Sequence, residues 1–317
     1  MKELLIDKIY NDIRFNKYLS KLFVNANQSF IYKMLRKKNI LLNDKSAKGN
    51  EVLKEGDKVS IYFKDETYNK FTNKNNQTYN IDDYKSDIEK LKNNIIYEDE
   101  NIIIIDKWEG ILSQSDKTNR LSLDKLCKLY LNHLNNDDEN ISTMGIVNRL
   151  DTNTLGLIVF AKNYNAAKYM SNAFKNRIVE KHYLALVEGK PKNNEDTLVL
   201  YMNKNNITNK VTVISKDYYD NTRDNKYYET ITKYKLLEER VNTSLIDVEL
   251  VTGKSHQIRA AMSYIGHPIV NDHKYGSNIL IDNNKSLALI SYMIIFNNMD
   301  DNFSYLNNKI FNSKYKL

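Results

Sequence analysis

The chain has 317 residues, 41% of them hydrophobic, and a formal charge of +7. At ~100–200 residues per domain, this length suits two domains, one with a substantial core. The lone Cys127 excludes an intramolecular disulfide, Met1–Asp7 lacks the apolar stretch of a signal peptide, and no run reaches the ~18 apolar residues of a membrane span, so a cytoplasmic protein with no membrane partner is expected.

Charge is concentrated at the start: residues 1–63 carry 13 Lys and Arg against 7 Asp and Glu. Within them, Ile13 to Phe23 has apolar residues at helical spacing, with Arg14, Lys17 and Lys21 stepping by three and four along another face. After a cap at Ser29, Ile31, Met34 and Leu35 form a second apolar stripe, with Lys33, Arg36 and Lys37 off it. Ile40–Asn43 reads as a short strand and Leu53–Ile61 as a turn feeding another. Basic helices on a small sheet make a compact polyanion-binding module; a merely solvated charged face is the plainer alternative.

Residues 64–94 are polar and asparagine-rich, with little apolar periodicity before Ile88 and Leu91, and read as a linker, with an inserted helix near 84–92 as the alternative. A second domain, 95–317, opens on the four isoleucines 102–105, a buried strand, followed by a helix marked by Leu123, Leu126, Tyr130 and Leu134, in which Cys127 is a buried thiol. Further strands are expected at 144–150, 156–162, 182–188, 210–214, 227–237 and 244–251, with helices near 164–175 and 256–264. Strands and helices do not alternate regularly, which predicts an α+β protein: a small α/β domain, then a mixed, mainly antiparallel sheet with peripheral helices.

Only 9 glycines and 2 prolines punctuate the chain, and the glycines single out two polar loops. Gly145 and Gly156 bracket Asn148-Arg149-Leu150-Asp151, in which Arg149 and Asp151 share one face if the segment is extended. Asp151 among threonines could equally be shaping a turn. Gly253 and Gly266 bracket Ser255-His256-Gln257-Ile258-Arg259, a strand-to-helix corner suited to an anion or a base. His256, His267 and His273 match no zinc spacing, so no metal is expected.

Arg14–Leu19, Ile31–Asn43 and Leu53–Asp57 resemble the small RNA-binding domain of a ribosomal small-subunit protein, with Phe15-Asn16 departing from its usual acidic positions. Gly145–Lys162, Lys181–Gly189 and Leu250–Gly276 together resemble the successive motifs of the RluA-type pseudouridine synthases. That resemblance implies an isomerase that detaches a uridine base from its sugar, rotates it and rejoins it through carbon, with no cofactor. It assigns catalysis to Asp151, Tyr183 and Arg259, with Arg259 partnering the carboxylate. The ring of Tyr183 would stack on the base and its hydroxyl assist proton removal. It also implies substrate contact by Asn148, His256 and Gln257 and base flipping aided by Arg149, while the basic helices of residues 1–63 assign phosphate contact to Arg14, Lys17, Lys33, Arg36 and Lys37. The expected partner is RNA, large-subunit ribosomal RNA above all, handled by a monomer without an obligate protein partner. Departures are Asn148 for histidine, Trp108 for proline, Lys254 for arginine and Asn271 for glycine. A catalytically silent ribosome-assembly factor and a metal-independent RNA hydrolase using His256 with Asp151 are the competing readings.

Overall fold

The computed structural model describes residues 1–72, 81–116, 120–135, 144–205, 208, 210–280 and 286–317. Its first unit is a four-stranded antiparallel sheet of β1 (Lys2–Leu5), β2 (Ile40–Leu42), β3 (Lys45–Ser46) and β4 (Lys58–Ile61), in the order β1-β4-β2-β3. Asn43 and Asp44 both have positive φ, the conformation that a two-residue hairpin between β2 and β3 demands. Helices α1 (Phe15–Leu22) and α2 (Gln28–Arg36) bury Phe15, Tyr18, Leu19, Ile31, Met34 and Leu35 against it, while Arg14, Lys17, Lys33, Arg36 and Lys37 stay exposed. The cap of α2 is Asn27, whose side chain accepts from the backbone N–H of Phe30, so Ser29 lies inside the first turn rather than at the cap.

The polar span 64–94 is not a bare linker. It carries α3 (Asp65–Thr72), whose Tyr68 and Phe71 pack on the first core, and α4 (Lys85–Asn93), whose Ile88 and Leu91 belong to the core of the second unit. Asparagine-rich composition hid α3, which buries no residue completely and shows only a weak apolar stripe. Residues 73–80 of that expected linker lie outside the described residues. The units touch where Tyr164 packs on the first core, with Lys21 Nζ 5.6 Å from its ring.

An 11-stranded sheet forms the second unit, ordered β11-β10-β12-β13-β9-β14-β8-β6-β5, with β15 on β14 and β7 on β8. Its strands are β5 (Ile95–Glu98), β6 (Ile102–Lys107), β7 (Gly145–Ile146), β8 (Leu155–Ala161), β9 (Val179–Glu188), β10 (Glu195–Lys204), β11 (Val211–Ser215), β12 (Tyr228–Glu239), β13 (Thr243–Leu250), β14 (Leu289–Phe296) and β15 (Lys309–Asn312). Four helices, α5 (Leu123–Asn135), α6 (Tyr164–Lys175), α7 (Lys216–Thr222) and α8 (Gln257–Tyr264), complete it. The pairing is antiparallel throughout these strands except for β8 with β14, giving the expected mixed, mainly antiparallel α+β fold. The isoleucine run needs no polar alternation, because Ile103 and Ile105 enter the core on one face of β6 while Ile102 and Ile104 enter that on the other. Cys127 is fully buried, and burial pushes its thiol pKa well up, as suits an inert packing residue.

β14 decides the geometry of the centre. It lies between β9 and β8, pairing Ser291 with Tyr183 on one side and with Gly156 on the other. That row places Tyr183 across one strand, β14, from β8, which the Asp151 loop enters.

Candidate active site

Residues 144–150 do not form the expected strand; β7 stops at Ile146. The Asn148 side chain takes over the pairing, accepting from Val159 N–H at 2.8 Å and donating to the Leu157 carbonyl at 3.3 Å. Its amide is thus engaged on β8 at both ends, and Arg149 and Asp151 lie on a loop, not on one face of a strand. Arg149 is exposed into the cleft and Leu150 is buried.

This loop is held from two sides. Ser113 Oγ donates to the Leu150 carbonyl at 2.7 Å and accepts from its N–H at 3.1 Å. Lys107, fully buried at the end of β6, donates from Nζ to the carbonyls of Thr152, Thr154 and Trp108 at 2.8, 2.9 and 3.2 Å. Three acceptors match the three N–H groups of an ammonium. Burial lowers the Lys107 pKa from 10.5 to about 8, against the pull of Asp151 and Glu109. The folded protein therefore holds this proton less tightly than the unfolded chain, and the stability that burial of the charge subtracts returns as pH rises from about 8 toward 10.5. Activity has the opposite expectation: a neutral amine has one N–H fewer for the loop, so the catalytic rate should decline as pH rises through about 8. A pH–rate profile that stays flat well above that value would contradict it.

Asp151 meets Arg259, which α8 carries. Arg259 donates from Nη1 to Asp151 Oδ2 at 2.8 Å, and its other edge grips Asp272 through Nε and Nη2 at 2.7 and 2.8 Å. Asp272 is 2% exposed, so its carboxylate is a buried bidentate partner that fixes the plane of the guanidinium. Burial opposes the charge on Arg259, yet Asp272 and then Asp151 outweigh it and raise its pKa. Among the described residues Asp151 Oδ1 has no hydrogen-bond partner, which leaves one oxygen of a pre-oriented carboxylate facing the cleft.

Tyr183, on β9, is 5% exposed; burial, together with Asp151, pushes its pKa up to about 12, against a smaller pull from the Ser291 hydroxyl. It is a neutral phenol at neutral pH. Such a group stacks and donates a hydrogen bond, and its oxygen can take a proton only as its own moves on.

His256 sits at positive φ just ahead of α8, its Nε2 3.7 Å from Asp151 Oδ2 and its Nδ1 2.8 Å from the Tyr275 hydroxyl. Burial lowers its pKa; Asp151 acts against this, while Arg259, Lys274 and Lys204 lower it further. Gln257, expected to contact substrate, lines the cleft with its amide engaged inside the protein. It is 2% exposed and its amide is used up internally, accepting from Thr252 Oγ1 and Lys254 N–H and donating to the Ile231 carbonyl and Thr232 Oγ1. It staples the glycine turn to β12.

Arg149, Asp151, Tyr183, His256, Arg259 and Asp272 line one cleft of about 1000 Å³. Among the described residues eight Lys and Arg face it, including Arg149, Lys175, Arg177 and Lys181, against three aspartates. Asp272, Tyr275, Lys107 and Ser113 were not singled out from sequence. Trp108 is not among the cleft residues; it packs on the core with Lys90 Nζ 4.9 Å from its ring.

A basic cleft around one ion-paired carboxylate, set on a mainly antiparallel sheet, defines an enzyme for a polyanionic substrate using nucleophilic or acid–base chemistry. The RNA pseudouridylate synthase profile matches residues 101–264, and the chain belongs to that family; it is an isomerase of uridine in RNA. It is 34% identical over 287 residues to ribosomal large subunit pseudouridine synthase C of Rickettsia bellii, covering 89% of each chain. An uncharacterized RNA pseudouridine synthase of Mycoplasma capricolum is 32% identical over 318 residues, covering 98% of this chain and 96% of that one. In fold it is similar to human RNA pseudouridylate synthase domain containing 4, with a TM-score of 0.55 at 19% identity over 67% of this chain and 87% of that one. None of these likenesses favours the silent assembly factor or the hydrolase. Among the described residues no helix is long and apolar enough to cross a membrane.

Proposed function

We propose that this enzyme isomerises uridine in large-subunit ribosomal RNA, acting in the cytoplasm as a monomer without an obligate protein partner, and that Asp151, Tyr183 and Arg259 carry the reaction. The observation that carries this reading is the Asp151–Arg259–Asp272 bridge: one buried carboxylate anchors the guanidinium so that its free edge orients the other. The named substrate of the Rickettsia relative supports the choice of RNA.

In this mechanism Asp151 acts toward the ribose as nucleophile or base through its free oxygen. Tyr183 stacks on the base and keeps it oriented while it turns. Arg149, exposed at the cleft, props the gap left by the flipped nucleotide. Bond breaking and making balance within one substrate, so no cofactor takes part. Mapping of pseudouridine in total RNA tests the reading: a deletion strain should lose at least one large-subunit site, and the wild-type gene should restore it. Persistence of every site would overturn it.

The residues 1–63 form the RNA-binding module of this proposal, with 95–317 as the catalytic domain and α3 and α4 joining them. Arg14, Lys17, Lys33, Arg36 and Lys37 hold no ion pair among the described residues and are available to phosphates. Replacing Lys33, Arg36 and Lys37 by alanine should weaken RNA binding and reduce the slope of log affinity against log salt by roughly two. An unchanged slope removes this face as a phosphate grip.

A further inference from the structure

His256 and Tyr275 form a buried pair whose protons can be located from their partners. The Tyr275 oxygen accepts from the Val211 N–H at 3.1 Å, so its own hydrogen needs a different acceptor. Among the described residues the only one offered is His256 Nδ1, at 2.8 Å. A ring nitrogen that accepts carries no proton, and the proton of the neutral imidazole must then sit on Nε2. The charged groups around the ring come from four segments: Arg259 on α8, Lys274 after it, Lys204 on β10 and Asp151 on its loop. Three of the four are cations, which disfavour a second proton.

The Nε2–H points at the reacting carboxylate without being consumed by it. At 3.7 Å from Asp151 Oδ2 it is beyond a hydrogen bond, and it has no other partner among the described residues. Yet the side chain is only 9% exposed. An N–H on the cleft wall with no acceptor among the described residues is open to an acceptor on the substrate.

We propose that Tyr275 locks His256 as its Nε2–H tautomer, and that this N–H donates to the carbonyl oxygen on which the detached uracil carries its negative charge. The proposal rests on Asp151 as the reacting carboxylate. When the C1′–N1 bond breaks, its electron pair leaves with the base and spreads over N1 and the adjoining carbonyl oxygens. A fixed donor stabilises that charge. Rejoining through C5 returns a pair to the sugar carbon, and the C5 proton is then lost while N1 gains one. His256 supplies a hydrogen bond throughout and transfers no proton. Tyr275 is a positioning residue, acting through the tautomer of its neighbour.

The test uses single-turnover release of tritium from large-subunit ribosomal RNA labelled at uridine C5, purified from cells lacking the protein, with RNA binding measured separately. Glutamine can place an N–H near the Nε2 position, whereas asparagine reaches only that of Nδ1. His256→Gln should keep the rate within about fivefold, and His256→Asn and His256→Leu should each lose on the order of 10²-fold with little change in binding. A purely structural role predicts the reverse order, because His256 has φ of 56° and asparagine tolerates that region better than glutamine. Asparagine equal to or better than glutamine overturns the proposal, as does a rate that all three preserve. Tyr275→Phe should slow the step about tenfold at neutral pH and recover only well below the ordinary imidazole value of ~6.5, where an imidazolium again carries Nε2–H, because burial and the neighbouring cations lower the His256 pKa. A deficit independent of pH removes Tyr275 from its role. Release by an Asp151→Asn enzyme, or none by wild type, would instead count against the underlying reading.

Discussion

Asp151→Asn is expected to abolish pseudouridine formation while leaving the fold and RNA binding in place. The amide is isosteric but neither a nucleophile nor a base. Arg259 keeps its bidentate anchor on Asp272, so the cleft should retain its shape. Loss of an essential reacting group typically costs ~10⁴-fold or more in turnover. The C5 hydrogen must leave in any such isomerisation, so tritium release from C5-labelled RNA reads the loss directly. Reintroduced into a deletion strain, the variant should restore no pseudouridine. Turnover within tenfold of wild type would remove Asp151 from the chemistry and leave the carboxylate as a shaper of its turn.

Gly156→Ala should produce the largest loss of stability. Gly156 has φ of 106°, and a Cβ there would lie 2.2 Å from the Ser291 carbonyl oxygen and 2.7 and 2.8 Å from that residue's C and N. All three are backbone atoms of β14 and cannot swing aside. Strain at that φ costs ~1–3 kcal/mol and overpacking of a closed core as much again, a large share of the ~5–15 kcal/mol that holds a domain together. Because Ser291 also pairs with Tyr183, a displaced β14 should lower activity in whatever protein still folds. Gly253→Ala is the matched control, since there the near neighbour is only the flexible tip of Lys181, at 3.2 Å. Chemical denaturation of the two variants should separate them by several kcal/mol; equal midpoints and slopes would mean that β14 yields.

Much of the framework was legible because burial leaves a period. The stripes of α1 and α2, the doubly buried isoleucines of β6 and the helices α6 and α8 follow from apolar spacing. The motif residues Asp151, Tyr183 and Arg259 were legible by resemblance. β1, β3, β5, β10, β14, β15 and α7 went unread, and 144–150 was misread as a strand. There the apolar pattern continues, but Asn148 replaces backbone pairing with its side chain. Asn148 and Gln257 show the same limit from another side: a polar residue inside a motif looks like a ligand contact until its partners are known, and both amides are engaged within the protein.

By itself the amino-acid sequence determined which segments seek a core, where positive charge gathers and which side chains are chemically able to act. Tertiary structure decided which of them meet. Arg259 reaches across 108 residues to Asp151, and Asp272 secures it from behind. Tyr183 joins them only because β14 enters between β9 and β8 against the bare backbone of Gly156. Such meetings depend on strand order and register, which are set by the best simultaneous burial of the whole chain and not by spacing within any one motif.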